Sequence, residues 1–251
     1  MKNRKRATID LEFTGLHKLT TPISIAICVE DGKEFYAEFT DFDKEQLNEF
    51  LENKVLSQLI LGDYDFERDY DPEADLVLVK GNTQMVRNAL FEFFRNYQED
   101  EIEMWGDVNH YDWVLFISLF GTAFDKPNQV NYIPHDLATF FRVAGVDPDI
   151  DRHEFSEVEK LENATVHNSL YDARLIKSCV DKLFELMGGA NKKKDSEDVS
   201  ENTEETIQAN DELPKPTNQT TVNEPSQKDD GFVPPSQEMI NHGGEEFIPE
   251  I

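Results

Sequence analysis

In Thr8-Ile9-Asp10-Leu11-Glu12-Phe13, two acids alternate with two aliphatic residues. A period of two is a strand period, so Ile9 and Leu11 face a core while Asp10 and Glu12 share the opposite face. Thr14-Gly15-Leu16 ends the strand just past the acids, where a glycine lets a backbone approach a ligand closely. A strand of this kind needs a packed layer on one side and something to bind two carboxylates on the other.

The rest of the first 190 residues supplies the layers. Residues 7–13, 23–29 and 33–40 read as strands, with Asp31-Gly32 as a hairpin turn. Residues 43–59 read as one helix, because Leu47, Phe50, Leu51, Val55 and Leu59 recur at three- and four-residue steps. Leu76-Val77-Leu78-Val79 is apolar but too short to tell strand from loop. Asn82 or Thr83 caps a helix reaching about Tyr97, Ile102 to Trp105 forms a strand, and Tyr111 to Leu119 forms a helix with Asp112 in its first turn. Residues 135–143 read as a helix and 145–165 as irregular and charged. A last helix spans 169–187, with Ala173, Ile176, Val180, Leu183 and Met187 inward. Strands first, then alternating helix and strand, predict an α/β chain: a mixed sheet with helices on both faces.

Candidate chemistry lies in the order of a few polar residues. Asp10 and Glu12 come first, then Asp112, then His167 and Asp172. Four carboxylates and one imidazole are what two-metal phosphodiester cleavage uses. No fragment is specific by itself, because 52 Asp and Glu create many acid-x-acid triplets, Asp41/Asp43 and Asp147/Asp149 among them. The H-x4-D spacing occurs at one of six histidines, His167. Five helical residues turn through about 500°, so His167 and Asp172 would point roughly 140° apart. That predicts separate jobs, with His167 at the helix entrance taking a proton from water and Asp172 facing the metal. Hard oxygen ligands favour Mg²⁺ or Mn²⁺ over Zn²⁺. Asp10, Glu12 and Asp172 are expected to hold one ion, and Asp10 with Asp112 a second.

These segments resemble the DEDDh 3′-5′ exonucleases of the RNase T and oligoribonuclease superfamily. Asp10-Leu11-Glu12-Phe13-Thr14-Gly15-Leu16 is similar to the opening of oligoribonuclease, Gly106 stands six residues before Asp112, and His167 to Asp172 has the spacing of the "h" subgroup. A finer resemblance is to the small mycobacterial-type 3′-5′ exoribonucleases. It is carried by residues 29–37, by Glu103-Met104-Trp105 with Tyr111-Asp112, and by residues 167–174. The resemblance spans about residues 7–187 and implies a ribonuclease-H-like fold, release of nucleoside 5′-monophosphates and, in its finer form, a homodimer. It also implies that Phe13, Thr14, Gly15 and Leu16 lie against the terminal nucleotide, with Thr14 and Gly15 using backbone groups. Trp105, Tyr111 and Trp113 read either as stacking surfaces for bases or as packing, and Tyr111 is the one expected to touch substrate. RNA 3′ ends are the expected partner. A proofreading-type DNA exonuclease of the same chemistry and a catalytically idle acidic interaction protein are the alternatives. One departure stands after the middle glycine: oligoribonuclease has asparagine where this chain has Asp107.

The net charge of −28 argues against extended phosphate contact. It fits an enzyme that handles one strand end, where bound cations supply positive charge locally. Cys28 and Cys179 lie in apolar settings and match no metal spacing, so both are expected as buried free thiols in a reducing cytoplasm. The longest apolar run, 113–120, is too short to span a bilayer. Residues 190–251 are rich in Glu, Asp, Asn, Thr, Ser, Pro and Gln and are expected to be a disordered acidic tail. Within it, Asp229-Asp230-Gly231-Phe232-Val233-Pro234 is echoed by Gly244-Glu245-Glu246-Phe247-Ile248-Pro249. The echo reads either as drift in a biased sequence or as a duplicated docking peptide for a protein partner, anchored by Phe232 and Phe247.

Overall fold

The computed structural model describes residues 3–159 and 167–197, with side chains up to residue 188. Phe232, Phe247 and the rest of the expected tail beyond residue 197 lie outside the described residues. Strands β1 (Asn3–Phe13), β2 (Pro22–Val29) and β3 (Glu34–Phe39) form an antiparallel meander. Gly32, at φ +96°, turns the β2–β3 hairpin, and the Val29 amide closes it on the Lys33 carbonyl at 2.8 Å. Strand β4 (Leu76–Gly81) runs parallel to β3, β5 (Asp100–Gly106) parallel to β1, and β6 (His135–Asp136) parallel to β5. The order is β4-β3-β2-β1-β5-β6, so β2 alone runs against the others. Partnership with β3 is what makes 76–81 a strand.

Alternation along β1 sorts the layers. Ala7, Ile9 and Leu11 join Ile25, Ile27, Phe35 and Ala37 under two helices, α1 (Thr83–Arg95) and α2 (His110–Ser118). The opposite face carries Ala26, Cys28 and Tyr36, which pack on Leu170 and Ala173 of α3 (Ser169–Glu197). Small side chains let α3 sit close: Thr8 Oγ1 donates to the Ala173 carbonyl at 2.8 Å, and the Ser24 and Ser169 hydroxyls pair at 3.0 Å. This is the mixed sheet with helices on both faces. Both cysteines are buried free thiols. No helix among the described residues is long and apolar enough to cross a membrane.

Local caps explain where the structure departs from the helical spacing. The segment 43–59 is not one helix. Asp43 accepts from the Glu45 amide, the chain extends at Leu47, and Asn48 then accepts from the Leu51 amide to start again. Side chains that bond the nearby backbone compete with helix in this way. The chain then makes a wide turn over Leu51–Val55, with the Leu56 amide bonded to the Leu51 carbonyl, and a tight turn over Leu56–Gln58. Leu51 and Val55 are buried against Ile23, but Phe50 is 53% exposed.

Three further boundaries differ. His135 and Asp136 pair with Trp105 and Gly106 as sheet, and Asp136 then caps a helix over Leu137–Val143 by accepting from the Thr139 amide. Within 145–159, Asp151 caps a helical turn over Arg152–Ser156 whose Phe155 packs on Phe141. The last helix continues ten residues beyond Met187, which is 40% exposed because the buried stripe ends at Leu183.

Candidate active site

Asp10 and Glu12 project from the α3 face of β1, and Asp172 meets them from the first turn of α3. Each of the three offers a carboxylate oxygen, and these oxygens lie within 4.8 Å of one another. Asp112 arrives from the other layer, in the first turn of α2. Its position is set by β1 itself. The ladder with β5 ends at Thr8, and the Leu11 amide, between the two acids, donates to Asp112 Oδ1 at 2.8 Å. Gly106 makes the preceding turn possible, since a Cβ there would stand 2.6 Å from Asn109 Cβ.

Among the described residues, no Lys or Arg pairs with any of the four acids. Their carboxyls are accordingly pushed up. Burial and then Asp112, Asp172 and Glu12 hold Asp10 well above the carboxylate range. Burial and then Asp172 and Asp112 raise Glu12 to about 8. Asp112 and Asp172 rise to about 6 through burial, each offset by an amide donor, Leu11 and His167 respectively. A cluster that cannot ionise comfortably by itself is compatible with cation binding.

A raised folded-state pKa gives stability that is present at low pH and lost as pH rises through the folded value. In chelated protein, Glu12→Gln is therefore expected to gain thermal stability over wild type progressively from about pH 4 to about pH 8. The difference in melting temperature between the two proteins reads this directly, and a difference that stays flat with pH would show that Glu12 is not strained.

His167 sits just ahead of α3 with φ +72°, a left-handed conformation rare for a residue with a side chain. Its amide donates to Asp172 Oδ2 at 3.2 Å. His167 stands at the helix entrance, and its backbone anchors the carboxylate of Asp172. The ring places Nδ1 3.9 Å from Glu12 Oε1, and burial together with the Lys54 charge lowers its pKa. That shift favours the neutral imidazole, the state that accepts a proton.

The strand end carries the residues expected to touch substrate. Phe13 and Tyr111 stack with centroids 5.6 Å apart, and Leu16 is 76% exposed. The amides of Thr14 and Gly15 are already engaged, the first with the Thr21 carbonyl and the second with Thr20 Oγ1. The Thr14 hydroxyl is buried and donates to Gln46 Oε1 at 2.6 Å. Those two residues shape the turn, beside which the Phe13 and Tyr111 rings are half-buried and Leu16 is exposed. Trp105 is buried against His135 and Phe140, and Trp113 is partly buried and packs on Phe116 at the edge of the core. Asp107 is already paired: Arg152 binds both its oxygens, at 2.6 and 2.8 Å. Spacing missed the Leu11 amide and also Asn168, which carries no periodic signal. Phe50 carried one, but it pointed to the wrong surface.

Comparison with known proteins places the chain. The family model of the 3′-5′ exoribonuclease Rv2179c-like domain matches residues 5–184. The 3′-5′ exoribonuclease Rv2179c of Mycobacterium tuberculosis strain ATCC 25618 / H37Rv is 30% identical over 165 residues, covering 66% of this chain and 84% of that protein. The 3′-5′ exoribonuclease MT2234.1 of strain CDC 1551 / Oshkosh matches to the same extent. Among solved structures, the Pan2 catalytic unit of Neurospora crassa is 15% identical with a TM-score of 0.38, covering 79% of this chain and 30% of its own, so this chain spans under a third of it. The family model runs from the first strand into the last long helix, across every element that carries one of the four acids, and the chain therefore belongs to the Rv2179c-like 3′-5′ exoribonuclease family.

Proposed function

We propose that this chain is a 3′-5′ exoribonuclease that uses two Mg²⁺ or Mn²⁺ ions and releases nucleoside 5′-monophosphates. The observation that carries the reading is the meeting of Asp10, Glu12 and Asp172 within 4.8 Å, with no Lys or Arg paired to them among the described residues. The donors are all carboxylate oxygens, which suits hard divalent cations. Asp10, Glu12 and Asp172 would hold one ion and Asp10 with Asp112 the other; bound there, the ions supply acidity to water and neutralise charge on the leaving oxygen.

His167 accepts the proton of the attacking water. The water oxygen bonds to phosphorus, the bond from phosphorus to the 3′ oxygen breaks, and that oxygen takes a proton from solvent water, so the shortened strand leaves with a free 3′ hydroxyl. Phe13 and Tyr111 offer ring faces to the terminal base, and Leu16 wedges beside it. With a charge of −28, the protein gains little from phosphate contacts away from the site, so binding should be weak and dependent on the ions.

The test is degradation of 5′-labelled RNA and DNA oligomers of one sequence, with Mg²⁺, Mn²⁺ or EDTA and with Asp10→Ala as control. A ladder shrinking from the 3′ end of RNA, lost with EDTA and in the variant, is expected. A ladder on DNA alone would make the protein a DNA exonuclease of the same chemistry. No shortening of either strand would leave the idle interaction protein standing.

A further inference from the structure

A general base is normally oriented by a hydrogen bond to its second nitrogen. His167 lacks that device: among the described residues neither ring nitrogen has a hydrogen-bond partner, and Nδ1 is 3.9 Å from the nearest carboxylate oxygen. What the ring does touch is Phe50, edge to face, with centroids 5.2 Å apart and planes at 76°.

Phe50 is not where it is because of its own burial. Its neighbours Leu51 and Val55 fill the cluster around Ile23, while Phe50 points outward at 53% exposure. The segment that carries it is tied down at both ends. Asn48 accepts from the Leu51 amide at 2.9 Å, and the Gln58 carbonyl accepts from Asn168 Nδ2 at 2.8 Å. Asn168 is buried, adjoins His167, and accepts from the Tyr171 amide to cap α3. One asparagine thus locks the Phe50 segment to the turn that holds His167. The wide turn over Leu51–Val55 is a geometry that recurs at functional sites.

We propose that Phe50 is a positioning residue: its ring holds the His167 imidazole at the acids, in place of the hydrogen bond that orients the base of a catalytic triad. The backbone of His167 is set by its left-handed turn and its bond to Asp172, and the side chain is set by Phe50. The proposal rests on the reading of His167 as the base.

The test measures kcat and KM of the full chain on a 5′-labelled RNA oligomer with Mn²⁺. Phe50→Ala and Phe50→Tyr are compared, alone and combined with His167→Asn. Phe50→Ala is expected to lower kcat roughly three- to tenfold, the range of an edge-to-face pair, with KM and melting temperature unchanged. Phe50→Tyr restores kcat, and Phe50→Ala adds no loss once His167 is replaced. The proposal is overturned if the loss falls in KM, which would make Phe50 a stacking platform for a base. It is equally overturned if kcat does not change, or if the same loss persists in the His167→Asn background. Wild-type protein that leaves RNA intact would instead sink the exoribonuclease reading. A His167→Asn variant as active as wild type would place the base elsewhere, and either result removes the proposal with its foundation.

Discussion

Asp10→Asn is expected to abolish strand shortening while making the metal-free protein more stable. Asp10 faces Glu12 and Asp172 across the cluster and also feels Asp112, so it is the acid that the proposed mechanism assigns to both ions. An ion's charge stabilisation is worth several kcal/mol, so its loss should lower kcat by roughly 10³-fold or more. The stability effect has the opposite sign. A buried carboxylate among three others is repelled when it ionises, and an amide of the same shape is not. The gain should be about 1–3 kcal/mol, by analogy with other buried charges replaced by neutral groups. In a chain of this size each kcal/mol raises the melting temperature by about 2–4 °C. Melting curves in EDTA near pH 8, beside the oligomer assay, read both effects. The variant should also lose most of the Mn²⁺-induced rise in melting temperature. An inactive variant that still melts at the wild-type temperature in EDTA would show that the four acids do not strain the fold.

His167→Asn is the second large expected effect: a fall in rate of roughly 10²- to 10⁴-fold, the range for removing a general base. Asparagine is chosen because it tolerates the left-handed conformation at φ +72° better than alanine does. The Mn²⁺-induced rise in melting temperature should survive, since His167 contributes only its amide to Asp172 and that amide is retained. Separation of the two readouts is the point of the measurement. A rate within threefold of wild type would mean that the proton goes elsewhere. Loss of the metal-induced stabilisation together with the rate would mean that the His167 ring, and not only its backbone, helps to hold the ions.

Much of the site was legible in the sequence because its information is local. The alternation around Asp10 and Glu12 places both acids on one strand face, and that follows from backbone geometry alone. Asn82 announces a helix by a cap three residues long, and the hairpin is announced by Asp31-Gly32. The H-x4-D spacing puts His167 and Asp172 on different bearings before any tertiary contact is known. Periodicity failed where local bonds compete. Residues 43–59 have helical spacing of apolar side chains, yet Asp43 and Asn48 each turn the backbone aside. The reading of Phe50 as an inward residue failed with that helix.

Sequence by itself thus determined the strand face, the caps, the hairpin and the order of the acids, since each depends on residues within a turn or two of one another. Tertiary structure alone decided the rest. The Leu11 amide locks an aspartate 101 residues away. His135 and Asp136 leave their helix for the edge of β5. Asp107 is paired by Arg152, 45 residues on, and Asn168 clasps Gln58 across 110 residues so that Phe50 meets His167. Such partners are chosen by which groups remain unbonded once the sheet has formed and its two faces have been covered. That choice is a property of the packed chain, and no window of neighbouring residues contains it.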